Sequence, residues 1–193
     1  MTENNVLITD DISVALRAGL DEGNYDKVAI IVDENTKRYC LPVVADAIGE
    51  HFLLTTRSGE THKHLGTCEQ LWGALTEAGF GRKDVVINLG GGVIGDMGGF
   101  VASTYKRGID FINLPTTLLS QVDASIGGKL GIDFNGFKNH IGLFREPTKV
   151  LVYPPFIETL SDRELRSGFA EVIKHSLIKD AAYWNRLIAS SLD

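Results

Sequence analysis

The chain has 193 residues, of which 44% are hydrophobic and 23% charged, with a formal net charge of -6. That composition excludes a disordered or low-complexity chain and leaves room for a sizeable core, in one domain or one domain plus part of a second. The charge is uneven, with 8 Lys and Arg against 15 Asp and Glu in residues 1 to 100 and 11 against 10 in residues 101 to 193, so the acidic first half lacks the basic stripe of a nucleic-acid surface and an anionic small molecule is expected in the second half.

The N-terminal MTENN has no apolar segment behind it of the kind a secretory signal needs. No apolar run approaches the roughly 18 residues of a membrane span. In chain order, apolar runs at Val6–Ile8, Val28–Val32, Phe52–Leu54, Val85–Leu89, Ile109–Leu114 and Val150–Tyr153 predict short strands, most too continuously apolar for a half-exposed sheet. Helical stretches are predicted between them at about 12 to 20, 36 to 48, 64 to 78 and 93 to 105. Strands alternating with such helices predict a parallel α/β sheet. Cys40 and Cys68 stand far apart and outside any metal or redox pattern, which suits free thiols in a reducing cytoplasm.

Pro154 and Pro155 stop this pattern, because proline removes a ladder donor and restricts the residue before it. Ser161-Asp162-Arg163-Glu164 then reads as a capping box, after which Leu165, Phe169, Val172 and Ile173 recur on one helical face. A helix of about 25 residues is predicted from there, with its apolar face uncovered. The expected division is an α/β cofactor domain over 1–155 and, over 156–193, the start of a helical second domain that the chain does not finish.

Gly90-Gly91-Gly92-Val93-Ile94-Gly95 fits G-x-G-x-x-G, follows a predicted strand and opens a predicted helix. Without side chains, backbone N–H groups can approach a pyrophosphate whose charge the helix N-terminus favours, although such turns also serve tight packing alone. The motif sits late in the sheet, and no acid about 20 residues downstream plays the ribose-binding part. Upstream, Asp33 follows a strand and can meet a ribose hydroxyl or cap a helix. Thr116, Thr117, Asp123, Lys129, Lys138 and Asn139 follow in segments dense with glycine, where lysine and asparagine can hold a phosphate and a carboxylate can accept from sugar hydroxyls.

The runs GGGVIGDMGGF (Gly90 to Phe100), PTTLLSQVDASIGGK (Pro115 to Lys129), GFKNHIG (Gly136 to Gly142) and SGFAEVIKH (Ser167 to His175) resemble 3-dehydroquinate synthases from about residue 28 onward. Metal-dependent alcohol and glycerol dehydrogenases share the glycine turn and the PTT, but not QVDASIGGK. The resemblance implies a Rossmann-like parallel sheet with flanking helices, followed by the first helix of an α-helical second domain. It implies conversion of 3-deoxy-D-arabino-heptulosonate 7-phosphate to 3-dehydroquinate and phosphate, by transient oxidation with NAD, phosphate elimination, re-reduction and aldol closure. That is a step of the shikimate route to aromatic amino acids, carried out in the cytoplasm by a homodimer.

By position, Asp33, Asn35, Glu60 and Lys63 resemble the family's adenosine and ribose contacts, and Gly91, Gly92, Val93 and Asp96 its pyrophosphate and nicotinamide loop. Thr116, Thr117, Phe156 and Thr159 match further NAD contacts. Asp123, Lys129, Lys138, Asn139 and Lys174 match substrate positions, with Lys129 and Lys138 near the cofactor as well, and Arg107 matches an arginine that reaches the neighbouring subunit's phosphate site. Glu171 matches the first ligand of a catalytic zinc or cobalt ion, the other two being histidines of the second domain, so the 193-residue chain by itself is expected to be inactive. From the residues alone, Glu171 and His175 at i and i+4 could form a two-ligand pair, against the reading of a packed or hydrogen-bonded histidine that the resemblance implies. Leu130 after GGK and His140 in KNHIG depart from the family's usual residues. A stand-alone NAD-binding module and a metal-dependent polyol dehydrogenase are the alternatives.

Overall fold

A computed structural model of the chain describes residues 5–189. In order, the elements are β1 (Val6–Ile8), α1 (Ile12–Gly23), β2 (Val28–Asp33), α2 (Glu34–Tyr39), α3 (Leu41–Ile48), β3 (Phe52–Thr56), α4 (Leu65–Glu77), β4 (Val85–Gly90) and α5 (Gly92–Thr104). There follow β5 (Asp110–Pro115), β6 (Lys129–Phe134), β7 (Phe137–Phe144), β8 (Lys149–Val152), α6 (Asp162–Lys179) and α7 (Ala181–Ala189). Six strands form one parallel sheet in the order β1-β8-β5-β4-β2-β3, while β6 and β7 make a separate antiparallel pair.

The apolar runs become strands buried on both faces. In β2, Ala29 and Ile31 face one core with Cys68 and Leu71 of α4 and Met97 and Val101 of α5, while Ile30 and Val32 face a second core with Leu16 of α1 and Val44 of α3. Full burial of one such side chain stabilises by roughly 1.5–3 kcal/mol, enough to fix the register of the central strands. Phe156 joins the second core and is 2% exposed. Among the described residues, no helix is long and apolar enough to cross a membrane.

The chain passes from β2 outward to β3, then returns to the other side of β2 with β4 and continues through β5. The carboxyl ends of β2 and β4 therefore flank the point where the sheet reverses direction, the place where open α/β sheets bind ligands. The late position of the glycine motif follows from this topology, since β4 is one of the two strands at the reversal.

Three expectations need correction. The single helix over 36 to 48 is two, broken at Cys40, because Pro42 in the first turn of α3 cannot donate a hydrogen bond back to the preceding helix. The long terminal helix is interrupted at Asp180, whose extended backbone (φ -148°, ψ 101°) ends α6 and whose carboxylate accepts from Tyr183 N–H at the start of α7. Leu165, Phe169, Val172 and Ile173 are half-buried rather than open, and the exposed apolar side chains of α6 are Leu177 and Ile178. Two elements escaped the sequence reading. Asn135 and Gly136, at φ 49° and 81°, make the two-residue turn of the β6–β7 hairpin, and Ser120–Ala124 forms a turn of π-helix.

Candidate active site

A cavity of about 600 Å³ opens at the reversal point. Asp33 and Asn35 line it from the end of β2, Glu60 and Lys63 from the following loop, and Gly91, Gly92, Val93 and Asp96 from the start of α5. Thr116 and Thr117 line it from the end of β5, and Thr159 from the 3-10 turn before α6. Asp33 does cap a helix: its Oδ1 accepts from Asn35 N–H at 2.9 Å and Thr36 N–H at 2.8 Å, and no hydrogen bond among the described residues uses Oδ2. Gly91, the N-cap of α5, has no side chain to offer, so the first N–H groups of that helix stay open to an anion. A Cβ at Gly91 would come within 2.9 Å of Thr117 Cγ2, so the turn is bare where it meets Thr117. A bare helix N-terminus, a nearby carboxylate oxygen and two threonine hydroxyls fit the pyrophosphate and ribose of a dinucleotide.

Lys63 is only 3% exposed. Its ammonium donates to Asp96 Oδ2 at 2.6 Å and to Asn139 Oδ1 at 2.6 Å. Burial raises the Asp96 carboxyl above its ordinary value, against the opposing hydrogen bond and charge of Lys63. Asp96 also lines a second cavity, of about 540 Å³, with Asp123, Lys129, Asn139 and His140. The two cavities thus meet at Asp96 and Ala124, which line both.

The π-turn carries Asp123 towards α6. His175 Nε2 lies 3.1 Å from Asp123 Oδ1, and the Lys174 ammonium lies 3.6 Å from the same oxygen and in close contact with Glu171 Oε2. The hydrogen bond to Glu171 and the charges of Asp123 and Glu171 raise the Lys174 pKa, Glu171 being the largest cause. This approach depends on Gly168: a Cβ there would lie 2.5 Å from Leu119 N and 2.7 Å from Leu118 Cβ, so any larger residue pushes α6 off the segment leading into the π-turn. One donor atom each of Asp123, Glu171 and His175 lie within 4.8 Å of one another. Glu171 Oε2 is buried without a well-formed hydrogen bond, the lysine being its sole ionic neighbour among the described residues. Two carboxylates and an imidazole suit zinc or cobalt. The described residues alone therefore hold three potential donors where sequence reasoning counted only Glu171, and His175 is hydrogen-bonded as the resemblance implied.

Three candidates lie elsewhere. Arg107 is exposed in a turn just before β5 begins, at the opposite end of the sheet from the cavities, with φ 68°. Phe156 is buried in the core, edge-on to Tyr153, and lines neither cavity. Lys138 points its ammonium at Glu60 Oε1, 3.4 Å away, and is 74% exposed. Tyr39, Cys40, Ser58 and Glu164 line the first cavity without having been anticipated, and His140 the second. Cys40 and Glu164 belong to breaks and caps, where a local motif explains them without reference to a ligand.

The family model described as 3-dehydroquinate synthase N-terminal matches residues 53–167. The chain belongs to the 3-dehydroquinate synthase family. A 3-dehydroquinate synthase of Parabacteroides distasonis is 42% identical over 195 residues, covering 100% of this chain and 55% of the relative. That of Sulfurovum sp. is 44% identical over 188 residues, covering 96% of this chain and 53% of the relative. The chain thus spans about half the length of the curated relatives it matches. Among solved structures, a 2-epi-5-epi-valiolone synthase from Streptomyces hygroscopicus, with NAD+ and Zn2+ bound, superposes with a TM-score of 0.84 at 30% identity, over 94% of this chain and 51% of that one. A 2-deoxy-scyllo-inosose synthase shares the fold at 22% identity and a TM-score of 0.81, over 90% of this chain and 49% of that one.

Proposed function

We propose that this chain supplies the NAD-binding half, and part of the substrate and metal site, of a 3-dehydroquinate synthase that converts 3-deoxy-D-arabino-heptulosonate 7-phosphate to 3-dehydroquinate and phosphate. The observation that carries the reading is the junction of the two cavities at Asp96, which sets a dinucleotide cradle against a chamber bearing Lys129, Asn139 and Asp123. A phosphorylated sugar acid in the second chamber would lie against the inner end of a dinucleotide in the first.

The N–H groups at the start of α5 hold the pyrophosphate, Asp33 Oδ2 and Asn35 take the ribose, and Thr116 and Thr117 close the wall behind them. Lys129 and Asn139 bind the substrate's anionic end, Lys129 as a point charge and Asn139 as a hydrogen-bonding amide. Held there, the substrate phosphate can accept the proton that must leave during its own elimination. When bound, NAD supplies a transient hydride acceptor and the metal a Lewis acid for the oxygen being oxidised. Glu171, Asp123 and His175 are the described residues that would hold the metal, in company with ligands from the rest of the protein.

The reading includes a homodimer, in which Arg107, far from the cavities of its own subunit, serves its neighbour. It also takes residues 156–193 as the start of a second domain, and places the protein in the cytoplasm, supported by two buried free thiols. The test is phosphate release by the full-length gene product supplied with the heptulosonate phosphate, NAD and zinc. The wild-type protein is expected to release phosphate and Lys129→Ala to lose at least about tenfold, the effect of one charge-assisted contact. Equal rates for the two proteins would remove Lys129 from the site, and no release by the wild type would reject the activity.

A further inference from the structure

We propose that Lys63 is a positioning residue that ties the β6–β7 hairpin to the cofactor cavity, so that a dinucleotide bound beside it fixes the place of Asn139 in the neighbouring chamber. This rests on the reading that the first cavity takes NAD, and it adds a mechanical link between the two cavities.

The hairpin is held unevenly. Leu130 and Ile132 of β6 are buried in the core, whereas β7 is exposed along nearly its whole length. Asn139, in β7, sits in the left-handed region at φ 50°, a conformation that persists only where its surroundings hold it. Polar bonds supply that hold. Asn139 N–H donates to Asp133 Oδ1 at 2.8 Å, Asp133 N–H donates to Lys63 C=O at 2.8 Å, and Lys63 Nζ donates to Asn139 Oδ1 at 2.6 Å. These three bonds form a closed circuit among residues 63, 133 and 139. The circuit is fastened to α5 by the second bond of the ammonium, to Asp96.

An ammonium has three donors. Two of those of Lys63 are engaged, and the third has no partner among the described residues, while the side chain lines the first cavity. A ribose or nicotinamide oxygen entering there meets a buried charge already bound to Asn139. Any ligand contact that orders Lys63 therefore orders the hairpin, although the hairpin strands do not line that cavity except through Asn139's tie. A purely local role for Lys63, neutralising Asp96, would leave β7 indifferent to the nucleotide.

The experiment is amide hydrogen exchange over residues 133–144 of the full-length protein, with and without saturating NAD, alongside calorimetric titration of NAD. In the wild type, NAD is expected to slow exchange in this segment by about tenfold, the equilibrium worth of one charge-assisted bond. Lys63→Met should abolish that difference. Asn139→Ala, at an exposed position that leaves the core intact, should also abolish it while holding the NAD dissociation constant within about threefold, since the Asp96 bond remains. Equal NAD-dependent slowing in Asn139→Ala and wild type would overturn the proposal, as would NAD binding to the wild type with no slowing in 133–144. Absence of any NAD binding would be a different failure, that of the cofactor reading itself.

Discussion

Asp33 serves two purposes with one carboxylate. Its Oδ1 closes the capping box with Thr36, and its other oxygen remains for the cavity, so both readings open to the sequence hold at the level of geometry. Such local matters are legible because the partners lie within three residues. The Lys63–Asp96 and Lys63–Asn139 bonds are not, because they join positions 33 and 76 residues apart that only the fold brings together. The thiols give a pH prediction at this scale. Burial pushes Cys40 up from 9.0 to about 11 and Cys68 from 9.0 to about 12. A raised folded-state pKa contributes stability that is complete below the ordinary thiol value and is lost as pH rises towards the folded value. Denaturant stability should therefore fall from about pH 9 upward through these two groups, and a disulfide reagent should leave both thiols unmodified in the native protein at pH 8. Rapid stoichiometric labelling at pH 8 would contradict their burial.

At the scale of elements, the continuous apolar runs identify the strands to within a residue or two, because burial on both faces of a parallel sheet leaves that pattern. The β6–β7 hairpin was also legible in principle, since Asn135-Gly136 is a strong two-residue turn signal between residues that can pair. It was obscured by the glycines and charges of the strands, whose exposed faces need no alternation. The π-turn carries no comparable signal; its register is set by the packing of α6 through Gly168. Gly168→Ala should therefore destabilise the protein by roughly 1–3 kcal/mol, the cost of overpacking a tight contact. It should also weaken zinc binding, because α6 carries Glu171 and His175 away from Asp123. Calorimetric zinc titration and urea unfolding of the same variant measure the two effects, and an unchanged zinc affinity would show that Asp123 and α6 need not approach.

For the whole molecule, the order of strands explains why the glycine turn works from β4: it stands at the reversal of the sheet, opposite the end of β2. That order depends on long-range pairing, which a local pattern does not encode. The remote position of Arg107 makes the dimer testable by mixing subunits. Arg107→Ala and Lys129→Ala, each nearly inactive alone, should recover about a quarter of wild-type activity when randomly recombined, since half of the dimers then carry one intact site. No recovery would place Arg107 and Lys129 in the same subunit's site.

The pairing of a dinucleotide cradle with a phosphate chamber makes NAD a recycled catalyst. The measurement that tests this most directly follows NADH absorbance and released phosphate together during turnover by the full-length protein. Many equivalents of phosphate per NAD, with no accumulating NADH and no turnover without NAD, is the expected result. NADH rising in step with product, or phosphate release indifferent to NAD, would contradict it.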